Sequence, residues 1–145
     1  RSKEDRDALL EGLLDGTIDC IATDHAPHAK EEKAQPMTKA PFGIVGSETA
    51  FPLLYTHFVK KGDWSLQQLV DYLTIKPAQI FDLPYGKLEE GSYADLTIIN
   101  LDEEREIRGE DFLSKADNTP FIGYKVYGNP VLTMVEGEVK FKEDK

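Results

Sequence analysis

The chain has 145 residues, 40% of them hydrophobic, enough to build a core and short of a multidomain protein. A formal charge of −10, from 27 acidic against 17 basic residues, excludes a nucleic-acid backbone or an anionic membrane as the expected partner. One cysteine allows no internal disulfide, no run approaches the roughly 20 apolar residues of a membrane helix, and the first residues lack a secretory h-region, so a cytoplasmic protein is expected.

In chain order, Ser2 ahead of Lys3-Glu4-Asp5 predicts a helix start, with acids facing the positive end of the helix dipole. Leu9, Leu10, Leu13 and Leu14 recur at helical spacing and Gly16 supplies the stop. A short apolar run over residues 18–23 reads as a buried strand, and Cys20 within it as a small apolar side chain rather than a nucleophile. Residues 25–46 then form a long loop punctuated by Pro36, Pro41 and Gly43, a length associated with function or mobility. Ser47-Glu48-Thr49 opens an apolar helix through Phe51, Leu54, Tyr55 and Phe58 that stops near Lys61-Gly62; His57 on it reads as packing. Ser65-Leu66-Gln67-Gln68 has capping-box form and starts a helix through Leu69, Val70 and Leu73. Thr74-Ile75-Lys76-Pro77 restarts another, with Pro77 at the first helical position and Ile80 and Phe81 as its buried face. From about Gly86 the period changes. Strands are predicted over 94–99 and 124–127, with a hairpin of 131–135 and 139–141 about Glu136-Gly137.

The chemistry concentrates in Thr23-Asp24-His25-Ala26-Pro27-His28, directly after the apolar run. A carboxylate at the carboxyl end of a parallel strand stands where (β/α) enzymes keep their catalytic groups, and two imidazoles beside it can bind metal or anions. An Asp in such a place is, taken alone, more often a turn residue or helix cap. Gly43-Ile44-Val45-Gly46 precedes a helix but lacks the GK[ST] of a phosphate loop. The acidic runs Glu31-Glu32 and Asp102-Glu103-Glu104 read as solvated surface, and Phe51, Trp64 and Tyr72 as helix–helix core. The strand over 18–23 is apolar on both faces and wants parallel neighbours, yet the later strands all fall in the β-rich tail. The sequence is therefore expected to be a piece of a larger α/β enzyme.

The hexapeptide, together with Ala40-Pro41-Phe42-Gly43-Ile44-Val45-Gly46-Ser47-Glu48-Thr49-Ala50, resembles the C-terminal part of the bacterial class I dihydroorotases of the amidohydrolase superfamily. Lys76-Pro77-Ala78-Gln79-Ile80-Phe81 and the stretch from Gly86 to Leu96 look like that superfamily's exit from its barrel. The likeness covers essentially the whole chain, sharply at the first two motifs and only at superfamily level in the last two. It implies an α/β fold: the C-terminal fragment of a (β/α)8 metal-dependent hydrolase barrel, followed by part of a small β-sandwich. Residues 1–85 would be the last barrel strand and its flanking helices, and residues 86–145 the sandwich strands.

The resemblance also implies an activity, the reversible zinc-dependent cyclisation of N-carbamoyl-L-aspartate to L-dihydroorotate in pyrimidine biosynthesis. Asp24 would be both a Zn2+ ligand and the acid–base group; most other ligands would lie upstream, leaving this chain inactive alone. His28 would meet the substrate carboxylate, with the backbone of Phe42 and Gly43 completing the pocket, whereas His25 is expected to support the loop. A homo-oligomer is implied, with aspartate transcarbamoylase as an additional partner. Two other readings stand beside this one: a sister cyclic amidase (hydantoinase/dihydropyrimidinase or allantoinase), and a non-catalytic dihydroorotase-like structural partner. His28 favours a carboxylated substrate over the first, and an intact Asp24 counts against the second.

Overall fold

The structure, a computed structural model, describes residues 2–143. Helix α1 (Lys3–Asp15) begins at a reciprocal cap: the Ser2 hydroxyl accepts from the Asp5 amide and the Asp5 carboxylate from the Ser2 amide, both at 3.1 Å. Gly16 ends it in the left-handed region at φ 85°. Helix α2 (Lys30–Lys33) is one turn inside the long loop. Helix α3 (Ala50–Leu54) runs on into a π-helical turn over Tyr55–Val59, closed by the Lys60 amide reaching back to the Tyr55 carbonyl at 2.9 Å. Helices α4 (Leu66–Leu73) and α5 (Ile75–Ile80) follow. No helix among the described residues is long and apolar enough to cross a membrane.

The core of this helical part joins Leu13, Trp64, Leu69 and Tyr72, with Leu10, Phe51, Leu54 and Phe58 packed around them. Trp64 stacks on Phe58 at 4.2 Å between ring centroids and meets Tyr72 edge-on at 5.6 Å. The buried Tyr72 hydroxyl donates to the Leu13 carbonyl at 2.7 Å, which satisfies a polar group that burial would otherwise penalise.

Two expectations fail here. Residues 18–23 join no sheet: the Ile18 amide donates to Gly12 and the Ile21 amide to Tyr72. A ladder needs neighbouring backbone, and the strands of this chain pair among themselves instead. Helix α5 starts at Ile75, so Pro77 is its third residue, still within the turn whose amides need no partner. Its buried residue is Ala78, while Ile80 and Phe81 are 50% and 69% exposed.

The last third is antiparallel. Strands β1 (Leu96–Asn100), β4 (Asn129–Val135) and β5 (Glu138–Lys142) form one sheet in the order β1-β4-β5; β2 (Arg105–Glu106) pairs with β3 (Lys125–Val126). Pro130 sits in the central strand where the register slips after Ile98, the kind of place that tolerates a missing N–H. Glu136 and Gly137, at φ 51° and 79°, make the tight hairpin turn. The strands are tied to the helices at Tyr127, whose amide donates to the Thr56 hydroxyl at 2.8 Å, and at Gly128, where a Cβ would lie 3.0 Å from the Phe51 and Tyr55 rings.

Candidate functional site

The loop 25–46 returns to its own beginning. His25 and Ile44 form a parallel bridge, and the Ala26 amide donates to the Ile44 carbonyl at 2.8 Å. Gly43 makes this approach possible. It adopts φ 113°, and a Cβ there would stand 2.4 Å from the Ala26 Cβ.

Asp24 lies at the mouth of this pair. It is one of the few non-glycine residues at positive φ, 47°, a conformation that costs free energy and is held by its surroundings. Next to it, His25 Nδ1 accepts from the Gly46 and Ser47 amides at 3.1 and 3.2 Å, so the ring is an acceptor at that nitrogen and carries its proton on Nε2 when neutral. The imidazole therefore braces the loop, as expected. The Asp24 side chain is exposed, and no hydrogen bond or ion pair among the described residues engages it.

His28, Phe42 and Gly43 are brought together. His28 Nε2 donates to the Phe42 carbonyl at 2.9 Å, and its Nδ1 faces Glu32 at 3.7 Å. As the ring stands, the N–H expected to meet a substrate anion is engaged by that carbonyl; a carboxylate binding there has to take the carbonyl's place. The Phe42 side chain is 91% exposed, so nothing packs it against such a shift. The Lys33 ammonium donates to the Pro41 and Gly43 carbonyls at 2.9 and 3.1 Å. On its other side His28 lines a cleft of about 200 Å³ with Lys30, Ser114, Lys115 and Asp117. A larger hollow of about 1300 Å³ lies among Glu48, Arg105, Phe112 and Phe141 and holds none of these residues.

Asn118 has no signal in the sequence, yet it is the fastening of the site. Its Oδ1 accepts from the His28 amide at 2.9 Å, and its Nδ2 donates to the Ala26 and Gly43 carbonyls at 3.2 and 3.3 Å. Its own carbonyl accepts from the Val45 amide at 2.9 Å. A second unpredicted tie is Glu48, whose carboxylate accepts from the Leu113 and Ser114 amides and the Ser114 hydroxyl. These contacts span 65 to 92 residues of chain, and local pattern carries no trace of them.

Among the described residues no three metal-capable side chains gather in one place. At this site Asp24 offers a cation an unengaged, exposed carboxylate, a hard oxygen donor suited to a single position in a site shared with other ligands.

Residues 1–140 match the amidohydrolase family. A dihydroorotase of Staphylococcus aureus is 84% identical over 145 residues, all of this chain and 34% of that protein. One from Staphylococcus epidermidis is 83% identical with the same coverage. The chain thus spans about a third of the length of these relatives. Among solved structures, an L-hydantoinase (dihydropyrimidinase) from Arthrobacter aurescens superposes with a TM-score of 0.90 at 39% identity, over 100% of this chain and 33% of that one. A D-hydantoinase from Thermus sp. gives 0.88 at 31%, over 98% and 32%.

Proposed function

The chain belongs to the amidohydrolase family, and we propose that it is the C-terminal part of a dihydroorotase, which interconverts L-dihydroorotate and N-carbamoyl-L-aspartate. The observation that carries this reading is the 84% identity to a staphylococcal dihydroorotase along every residue of the chain. In this reading residues 1–85 complete a (β/α)8 barrel as its last strand and flanking helices, and residues 86–145 belong to a β-sandwich. The stretch 18–23 supports that placement, since it joins no sheet within the chain and leaves backbone available to parallel neighbours. The intact protein is a cytoplasmic homo-oligomer, with aspartate transcarbamoylase as a candidate partner.

Asp24 is a zinc ligand and the proton carrier. A bound Zn2+ would polarise the amide carbonyl and acidify water. In hydrolysis, water oxygen bonds to the ring carbonyl carbon, Asp24 takes the water's proton, and the carboxyl group returns it to the ring nitrogen as the C–N bond breaks. The reverse sequence closes the ring. An exposed carboxylate with no internal hydrogen bonds keeps both oxygens available for this work. His28 and the backbone at Phe42 and Gly43 hold the substrate carboxylate, the imidazole N–H exchanging the Phe42 carbonyl for an anion and gaining a charge-assisted bond.

The structural likeness to hydantoinases supports a second reading, a cyclic amidase acting on uncharged rings. The test is an assay of the full-length parent protein on dihydroorotate, hydantoin and allantoin. We expect turnover of dihydroorotate, and an Asp24→Asn loss on the order of 10²–10⁴-fold in kcat, the usual contribution of a positioned acid–base group. Preference for hydantoin overturns the dihydroorotase reading; near-normal activity of the Asp24→Asn enzyme overturns the role of Asp24.

A further inference from the structure

The site consists of two arms of one loop, 26–28 and 42–45, and its shape depends on what holds the arms apart and together. Among the described residues, Asn118 is the one residue outside 25–46 that hydrogen-bonds to both. Its amide is matched to the task. The Oδ1 side meets an N–H donor and the Nδ2 side meets two carbonyl acceptors, so neither half can be replaced by the other. The backbone carbonyl adds a bond to Val45 at 2.9 Å, which ties the second arm to the same point even if the side chain is changed.

We propose that Asn118 is a positioning residue for substrate binding: it sets the separation between His28 and the Phe42–Gly43 backbone, and through them the affinity for the anionic end of the substrate. The proposal rests on the dihydroorotase reading for the identity of that substrate. Asn118 touches no reacting atom, and its bonds go to the two arms that carry His28 and Gly43 rather than to Asp24. Its loss therefore falls on binding rather than on proton transfer. Fixed backbone on each side of an anion is worth most when it does not have to move, and small displacements at such positions are costly.

The experiment uses the full-length parent enzyme. Asn118→Ala removes all three side-chain bonds. Asn118→Asp keeps the shape and the acceptor for the His28 amide but sets a carboxylate oxygen against the Ala26 and Gly43 carbonyls. We expect Asn118→Ala to raise KM for dihydroorotate about tenfold with kcat within about threefold, and Asn118→Asp to raise it at least as much. A purely structural role gives another pattern, since a smaller folded fraction lowers kcat and leaves KM alone. Amide exchange at Ala26, His28 and Val45 is read in the same samples and should quicken at His28 in Asn118→Ala.

Unchanged KM in a folded Asn118→Ala enzyme overturns the proposal, as does a fall in kcat at constant KM. If Asn118→Ala does not fold, the isosteric Asn118→Asp decides on the same criteria. If the wild-type protein ignores dihydroorotate, the dihydroorotase reading fails by itself. The variants are then scored on the cyclic amide that it does accept, where a KM equal to wild type overturns the proposal.

Discussion

At Gly43 a single missing side chain decides whether the two arms can touch. A Cβ there would overlap the Ala26 Cβ at 2.4 Å and would also meet His28 Nε2 at 3.4 Å, on a backbone whose φ of 113° disfavours any L side chain. We expect Gly43→Ala to destabilise the protein by about 1–3 kcal/mol, the range for overpacking, and to cost activity well beyond that loss of stability. Thermal denaturation alongside kcat/KM for the full-length enzyme checks both, and a variant with wild-type values in each would show that the loop has a second way to close. Asp24, His28 and Gly43 stand out in the sequence through their place in motifs that resemble a known family, and the structure brings His28 and Gly43 together. Their partners do not stand out. Nothing about His28 announces that Phe42 will occupy its Nε2–H, because a carbonyl is present at every position and only the fold selects one.

Among the elements, the helix starts that carry a side-chain cap are the most legible, since a cap is a contact between residues three apart, whereas the uncapped start of α5 falls two residues before the expected Pro77. Both Ser2 and Ser65 form reciprocal caps with the side chain three residues on. Ser65→Ala should cost about 1 kcal/mol, measured as a lowered Tm, because the Gln68 amide at the first turn of α4 loses its acceptor. At the β2–β3 pair, Lys125 and Tyr127 hydrogen-bond the Glu104 carboxylate and hold its pKa below the ordinary 4.5. A depressed carboxylate contributes its stability above the unfolded value and loses it as pH falls through the folded one. Acidification below about pH 4.5 should thus loosen this corner, with faster amide exchange at Lys125 and Tyr127, and Glu104→Gln should remove that pH dependence. Two elements escape local reading for opposite reasons. The stretch 18–23 has strand composition without a partner, and the π-helical turn at Tyr55–Val59 has helix composition with one residue too many per turn.

Over the whole molecule, the helical and antiparallel parts were separable from sequence by the change of period near Gly86, whereas the joints between them, at Thr56–Tyr127, Glu48–Ser114 and Asn118, were not. Leu88 and Phe81 stand 86% and 69% exposed, and Leu9 and Leu14 on α1 more than half so. Apolar surface of that extent invites cover. Produced as the 145-residue chain alone, the polypeptide should self-associate, and sedimentation should report species heavier than 16.3 kDa; a stable monomer with protected amides over 18–23 would contradict this.

The bridge between His25 and Ile44 has an evolutionary corollary. Because the ends of the intervening segment are cinched at its neck, residues near its tip, such as the 87% exposed Met37, can be lengthened, shortened or rewritten with small entropic penalty. Descendants of this architecture can therefore vary the tip of the segment while Asp24 stays in place beside the neck.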